Sequence, residues 1–267
     1  MRILFTICGR AGSKGIKNKN IRDFLDVPLP MYTLAAIDLY LERNTKYEAD
    51  IAVNTDSQEL VGILKKNSSR KIDVVERKEE LANDSAPKKA VIADTYYEMK
   101  KKYQCEYDMV IDLDLTSPLR TVNDICNLVE KKIETDCDVV FSVTDSRRNP
   151  YFNMVMKVEH GYVGVIKSNY TARQQAPEIY DMNASMYAYK PEFLVSDAGV
   201  LHGYCEIIKM YDTAILDLDH ENDFELMQVI AKYLYGKYNG LVISFLMIYF
   251  LIQFHMTVFL FLYVIII

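Results

Sequence analysis

Ile3-Leu-Phe-Thr-Ile-Cys8 runs without a break into Gly9-Arg-Ala-Gly-Ser-Lys-Gly-Ile-Lys-Asn-Lys-Asn20, and this junction decides the fold. Ile3–Cys8 has the length and apolar content of a buried strand. The loop after it holds Gly9, Gly12 and Gly15 together with Arg10, Lys14, Lys17 and Lys19, and no acid occurs before Asp23. Glycines let a backbone approach a ligand with its N–H groups aimed at an anion. Cations add charge-assisted hydrogen bonds to phosphate oxygens. A strand that opens into such a loop reads as a phosphate cradle; the plainer alternative is a solvated basic loop. The spacing G-x-x-G-x-x-G matches neither the dinucleotide fingerprint G-x-G-x-x-G nor a Walker A loop.

Outward from this junction, apolar runs alternate with amphipathic stretches. Strands are predicted at Asp50–Asn54, Ile72–Val75, Asp108–Leu113 and Asp138–Val143. Helices are predicted at Tyr32–Leu41, Gln58–Lys66, Lys88–Lys102 and Val122–Glu134. Such alternation predicts an α/β fold with a mostly parallel central sheet and helices on both faces. After Asn149-Pro150 the pattern changes. Met154–Val158 and Tyr162–Ile166 flank His160-Gly161 and read as a hairpin. Tyr170–Tyr180 is polar and irregular, Met186–Tyr189 reads as a strand, and Glu221–Tyr235 as a helix. The expected organisation is one domain over residues 1–238, with a small inserted lobe near 149–182.

The chain has 267 residues, half of them hydrophobic, and a net charge of −6. That balance argues against nucleic-acid binding. A local cationic loop on an acidic protein suits a small anionic ligand. Cys8, Cys105, Cys126, Cys137 and Cys205 are scattered and odd in number, the pattern of reduced structural thiols rather than of a disulfide framework or a zinc site. The N-terminus is not a signal peptide.

In an open parallel sheet, ligands bind at the carboxyl ends of strands. One such end gives Asp112-Leu-Asp114-Leu-Thr-Ser-Pro-Leu-Arg120. Asp112 and Asp114 alternate onto one side of an extended chain. Thr116 and Ser117 are expected to cap the next turn, and Arg120 to offer an anion contact. A second D-x-D, Asp217-Leu-Asp219, stands near the end. Hard divalent cations take carboxylate and phosphate oxygens, so a phosphate cradle with a distant D-x-D suggests nucleotide–Mg²⁺ chemistry. The alternative for Asp217 and Asp219 is an acidic cluster favoured by the dipole of the last helix.

GRAGSKGIKNKN, Arg77-Lys-Glu-Glu-Leu-Ala-Asn-Asp-Ser85, TSPLR, the Arg173-Gln-Gln segment and the late D-x-D occur in this order. Together, over about residues 1–238, they resemble the acylneuraminate cytidylyltransferases, the CMP-sialic acid synthetases and their relatives. The resemblance implies a Rossmann-like nucleotidyltransferase fold, CTP, Mg²⁺, a nonulosonic acid and a homodimer made through the inserted lobe. It implies that Arg10, Ser13, Lys19 and Asn20 hold the triphosphate and that Arg77 and Ala86 lie at the cytosine; Gly12 of the same loop is a further nucleotide-binding candidate. It further implies Mg²⁺ on Asp217 and Asp219 and Arg173 at the sugar, with Asp114 and Arg120 as further substrate-binding candidates. Lys19, Asp217 and Asp219 are then the catalytic candidates, and Asp114 a candidate for orienting or deprotonating the sugar hydroxyl.

Two departures bear on the sugar. Where the sialic acid enzymes have Gln before Pro-Thr-Ser-Pro-Leu-Arg, this chain has Asp114 followed by Leu115. A lysine expected after a His-Pro pair in the lobe is missing, the chain reading Asn149-Pro-Tyr-Phe152. Both move the expected substrate from N-acetylneuraminate toward legionaminic acid or another modified nonulosonate. The alternatives are a nucleotidyltransferase for another sugar acid or a sugar phosphate, and a non-catalytic, membrane-tethered nucleotide binder.

Leu241–Ile267 contains no formally charged residue. At about 1.5 Å per residue it is long enough to span a bilayer. Lys232 and Lys237 just before it place the catalytic domain on the cytoplasmic side. The segment reads either as a candidate transmembrane helix giving membrane association, or as an appendage to a domain complete near Tyr238.

Overall fold

The computed structural model describes residues 1–12, 15–83, 85–211, 218 and 220–237, apart from the side chains of Arg173 and residues 235–237. A seven-stranded sheet has the order β11-β7-β10-β6-β1-β4-β5. Its strands are β1 (Arg2–Cys8), β4 (Glu48–Thr55), β5 (Ile72–Glu76), β6 (Met109–Leu113), β7 (Val139–Asp145), β10 (Tyr180–Tyr189) and β11 (Cys205–Lys209). β1 pairs parallel with β4 and β6, β4 with β5, and β7 with β11. Only β10 runs antiparallel, lodged between β6 and β7. The interior of β1 is buried throughout, as a strand covered on both faces requires.

Helices α1 (Pro30–Arg43), α2 (Gln58–Asn67) and α4 (Val122–Thr135) cover one face. Helix α3 (Lys88–Tyr103) and the short α5 (Pro191–Leu194) cover the other, with Leu4, Val110, Tyr189, Ile92, Tyr96 and Phe193 in its core. Local chemistry starts these helices. Pro30 begins α1 with φ already set. The Ser57 hydroxyl accepts from the Leu60 N–H at the head of α2. Thr121 and Asp124 form a reciprocal capping box at α4. The predicted cap at Thr116 and Ser117 is thus corrected: α4 is capped by Thr121, and the two earlier hydroxyls serve the loop described below.

A third cluster joins the first loop to the C-terminal helix. Ile16, Phe24, Leu29 and Tyr32 pack with Leu218 and with Phe224 and Met227 of α6 (Glu221–Lys237). The small hairpin β2 (Asp23–Phe24) and β3 (Val27–Pro28) supplies part of it. Its two-residue strands are too short to show a periodicity in sequence.

Between β7 and β10 the chain leaves the sheet. β8 (Val155–Val158) and β9 (Gly161–Gly164) form the expected antiparallel hairpin, with Gly161 at φ 98° in its turn. Its apolar side chains are exposed, Val155 at 67 % and Tyr162 at 71 %. β10 is longer than predicted because an irregularity between Met182 and Tyr187, with Ala184 at φ 51°, interrupts its apolar pattern. β11 has no counterpart in the sequence reading. Among the described residues no helix is long and apolar enough to cross a membrane. The candidate span Leu241–Ile267 lies outside them.

Candidate active site

The carboxyl ends of β5, β4, β1 and β6 stand side by side, and the loops leaving them carry most of the residues singled out above. Gly9 follows β1 directly. Its N–H donates to the Asn54 carbonyl at the end of β4, 3.2 Å away. A Cβ at this position would lie 2.5 Å from Leu115 Cδ1 and 2.9 Å from Leu60 Cδ2, so any larger residue would push these two buried leucines aside. Gly12 has φ +72°, the left-handed region that glycine enters without strain. The Ala11 N–H donates to Asp56 Oδ1 at 2.7 Å, and the Asn20 amide donates to the Arg10 carbonyl at 3.0 Å. Asn20 therefore braces the loop from within. Arg10 and Lys19 are half-buried, and Lys19 opens a short 3-10 turn, Lys19–Ile21. Ser13 lies outside the described residues.

Arg77 follows β5 and is buried. It donates from Nε to Asn54 Oδ1 at 3.0 Å and from Nη2 to the Asn54 carbonyl at 2.9 Å. Burial lowers its pKa from the ordinary guanidinium value, while Cys8 and Asp56 oppose that shift. Arg77 and Gly9 thus share Asn54 as a common post. Ala86 is half-buried just ahead of α3.

β6 delivers the first D-x-D. Asp112 is fully buried, and the Thr6 hydroxyl donates to its Oδ1 at 2.9 Å. Lys88 Nζ lies 2.8 Å from Asp112 Oδ2 and 2.6 Å from Asp114 Oδ2. The Thr116 N–H and hydroxyl donate to Asp114 Oδ1 at 2.8 and 2.6 Å. Burial works to raise the Asp114 pKa, but Lys88 and the Thr116 donors outweigh it and hold the carboxyl well below its usual range. For Lys88 burial works downward, and the two carboxylates outweigh it and push the ammonium well above its ordinary value.

Arg120 requires a correction. Expected to contact an anionic substrate, it is 3 % exposed. Its Nη2 donates to the carbonyls of Asp114 at 2.8 Å and Ser185 at 2.7 Å, its Nε to Ser185 Oγ at 3.1 Å, and its Nη1 to Thr33 Oγ1 at 3.3 Å. Ser117 also donates to Ser185 Oγ, at 2.7 Å. Burial pulls the Arg120 pKa down to about 10 against the pull of Asp114 and Asp112. Arg120 is a bolt between the 114–117 loop and the irregular part of β10.

Asp217 and Asp219 lie outside the described residues, while Leu218 between them is buried in the cluster that contains Ile16. Arg173 begins a 3-10 turn in the insertion, Arg173–Gln175; its side chain is outside the description. Among the described residues no group of three or more His, Cys, Asp or Glu side chains is arranged to hold a metal.

Sequence reasoning missed Lys88 and Asn54. For Lys88 a signal existed. Lys88 and Lys89 open a helix whose first turn has no acid, the end at which the helix dipole disfavours cations. Beside Lys88 a cavity of about 650 Å³ is walled by Ala93, Tyr97, Tyr187, Tyr189 and the 194–200 segment. Lys89 closes one wall, donating to the carbonyls of Ser196 and Ala198 at 2.8 and 2.7 Å.

The cytidylyltransferase family matches residues 4–235. Post-translational flagellin modification protein B of Campylobacter coli is 36 % identical over 231 residues, 86 % of this chain and 95 % of that protein. CMP-N,N'-diacetyllegionaminic acid synthase of Campylobacter jejuni is 33 % identical over 230 residues, with the same coverage of 86 % and 95 %. In structure, a CMP:2-keto-3-deoxy-manno-octonic acid synthetase complexed with CTP superposes with a TM-score of 0.59 at 13 % identity, covering 87 % of this chain and 99 % of that one. That likeness concerns the fold. With the glycine loop, Arg77 and the TSPLR turn gathered at adjoining strand ends, the chain belongs to the cytidylyltransferase family, among the CMP-nonulosonic acid synthetases.

Proposed function

We propose that the protein transfers a cytidylyl group from CTP to a nonulosonic acid, giving the CMP-sugar and pyrophosphate. The observation that carries this reading is the gathering of the basic glycine loop, Arg77 and Asp114 at the carboxyl ends of adjoining strands. The anomeric hydroxyl attacks the α-phosphorus of CTP. A phosphorus–oxygen bond forms to the sugar, the bond to the α–β bridging oxygen breaks, pyrophosphate departs with its electrons, and the hydroxyl proton passes to water. Such chemistry depends chiefly on positioning and charge stabilisation.

Arg10 and Lys19 face the triphosphate and offset charge building on pyrophosphate. Arg77 and Ala86 border the cytosine. Asp114, kept ionised, is a poor proton acceptor, so its role is to orient the sugar. Asp217 and Asp219 are the carboxylates that would hold Mg²⁺. When bound, the ion supplies charge neutralisation along the triphosphate and leaving group. Two observations support that choice. Leu218 is buried with Ile16 of the phosphate loop, and Asp112–Asp114 is already filled by Lys88.

Asp114 in the place of glutamine, and the 33 % identity to a legionaminic acid synthase, favour a legionaminic-type sugar over N-acetylneuraminate. The exposed apolar side chains of the insertion, among them Met154, Val155, Met156 and Tyr162, support a homodimer through that lobe. Arg173 on the same insertion then serves the sugar side. The uncharged run Leu241–Ile267 supports membrane association of the full chain, with the catalytic domain in the cytoplasm. The test is pyrophosphate release by purified protein with CTP, MgCl₂ and each of N,N'-diacetyllegionaminic, N-acetylneuraminic and pseudaminic acids. Release that depends on both CTP and one of these sugars is expected. No sugar-dependent release from any of them overturns the reading.

A further inference from the structure

Lys88 stands at the first position of α3, where the aligned peptide dipoles oppose a cation. It is compensated by two carboxylates, Asp112 at 2.8 Å and Asp114 at 2.6 Å. Alternate carboxylates at a strand end could grip a hard cation, but here an ammonium sits between them. The bridge holds two carboxylates and one ammonium, and the buried guanidinium groups of Arg77 and Arg120 act on the same carboxylates. Asp112 has no exposure to offer a ligand, whereas Asp114 is 24 % exposed and Lys88 34 %. Asp114 Oδ1 already accepts twice from Thr116. Its Oδ2 accepts from Lys88 and retains a lone pair.

We propose that Lys88 determines which sugar enters the cleft: by bridging Asp112 and Asp114 it fixes a carboxylate oxygen beside the tyrosine-walled cavity, and so selects sugars that present an N–H or O–H group there. An ionised carboxylate only accepts hydrogen bonds. The cavity next to Lys88 is walled by Ala93, Tyr97, Tyr187, Tyr189, Leu194 and Val195, with Lys89, Asp94, Ser196 and Asp197 as its polar members. The apolar part of such walls suits acyl methyls and deoxy carbons, and the polar part amide or hydroxyl groups. The sugar class is therefore an acylamino, deoxy nonulosonic acid whose amide N–H meets Asp114. The charged and titratable groups around the bridge are Cys8 of β1, Arg77 after β5, Asp112 of β6, Arg120 and Tyr189 of β10. Lys88 has this role only if the cleft takes a nonulosonic acid, as proposed above.

The experiment compares Lys88→Met, Lys88→Arg and Asp114→Asn with the wild-type full chain. KM and kcat are measured separately for CTP and for N,N'-diacetyllegionaminic and N-acetylneuraminic acids. Lys88→Met and Asp114→Asn are expected to raise the KM of the preferred sugar at least tenfold. They should cut the preference between the two sugars by a similar factor and leave the CTP KM within twofold. Lys88→Arg should recover part of the preference. A sugar KM and preference within twofold of wild type in both variants overturns the proposal, as does a CTP KM that rises as far as the sugar KM. If melting curves show that Lys88→Met does not fold, Asp114→Asn, which retains the Lys88–Asp112 pair, carries the kinetic test. A second readout needs no turnover: the Asp114 carboxyl carbon is titrated by NMR in the free protein. Its midpoint should rise by more than one pH unit in Lys88→Arg or Lys88→Met, whichever folds with the weaker bridge, and an unchanged midpoint overturns the bridge. Wild-type protein that releases no pyrophosphate with either sugar defeats the nonulosonate reading instead, and the titration then decides the bridge by itself.

Discussion

The two sides of the cleft are built by different means. On the side proposed for the nucleotide, the first loop is shaped by backbone: Gly9 pressed against Leu115 and Leu60, Gly12 in a left-handed conformation, and main-chain groups tied to Asn54 and Asp56. On the side proposed for the sugar, the shape is set by buried side-chain charge. Lys88 spans Asp112 and Asp114, and Arg120 binds the same loop to Ser185 of β10. A backbone cradle suits a group common to every nucleoside triphosphate, as proposed for this loop. An ionic framework can be retuned by single substitutions, and it is on this side that the chain departs from the sialic acid enzymes. The contrast teaches that conserving the donor and changing the sugar are separable problems in this fold.

The largest expected effect tests the shared reaction that both sides serve. Asp217→Ala and Asp219→Ala should each lower kcat by about 10²–10³-fold, the scale seen when one stabilising group is removed from a transition state. Chelation by EDTA should abolish turnover, and MgCl₂ should restore it. Near-normal rates in both folded variants would remove the metal assignment. Next, Arg10→Ala and Lys19→Ala should lower kcat/KM for CTP by about 10²-fold with little change in melting temperature. A loss of stability with unaltered turnover per folded molecule would move these cations from the cleft to the scaffold.

The third prediction sharpens the contrast from the sugar side. Arg120→Ala leaves the carbonyls of Asp114 and Ser185 without their buried donor and should cost about 3 kcal/mol in denaturant unfolding. A destabilisation under about 1 kcal/mol would show that solvent or neighbours replace it readily. The smallest effect lies outside both sides. Asp38 in α1 is 3 % exposed, and burial raises its pKa to about 6, with Arg70 opposing and Glu42 assisting. The folded state therefore holds this proton more tightly than the unfolded chain, whose carboxyl titrates near 3.8. Stability from this group is complete below that value and is lost as pH rises through about 6. Asp38→Asn should consequently be more stable than wild type by about 1–3 kcal/mol at pH 7.5, the gain shrinking toward pH 4. Melting curves across that range check it, and a gain that grows on acidification would reverse the sign.

What could be read from sequence follows the same division. The alternation from Arg2 to Asp145 is legible because the central strands hold buried runs and helices α2 and α4 carry their own start signals, at Ser57 and Thr121. The glycine-rich loop is legible because its parts are consecutive. The pairings around Asp114 are not, since Lys88 meets Asp114 across 26 positions and Arg120 meets Ser185 across 65. Arg120 looked like a ligand group because an arginine after a turn has the same sequence signature whether it faces solvent or is enclosed. Asn183 and Ser185 hide the first half of β10 because their side chains are satisfied by Ser142, Ser117 and Arg120 within the protein.

The antiparallel strand between β6 and β7 also orders events in time. Those two strands are joined through α4 but do not pair with each other, since β10 fills the lane between them. A nascent chain that has emerged only as far as Ile179 holds both strand edges unpaired, and such edges invite pairing with other chains. β6 and β7 join one sheet only when residues 180–189 arrive, after the whole insertion that carries the β8–β9 hairpin has been made as chain. Sheet completion is thus a late, long-range step, which slows folding and prolongs the interval in which a chaperone or a neighbouring ribosome's product can intervene.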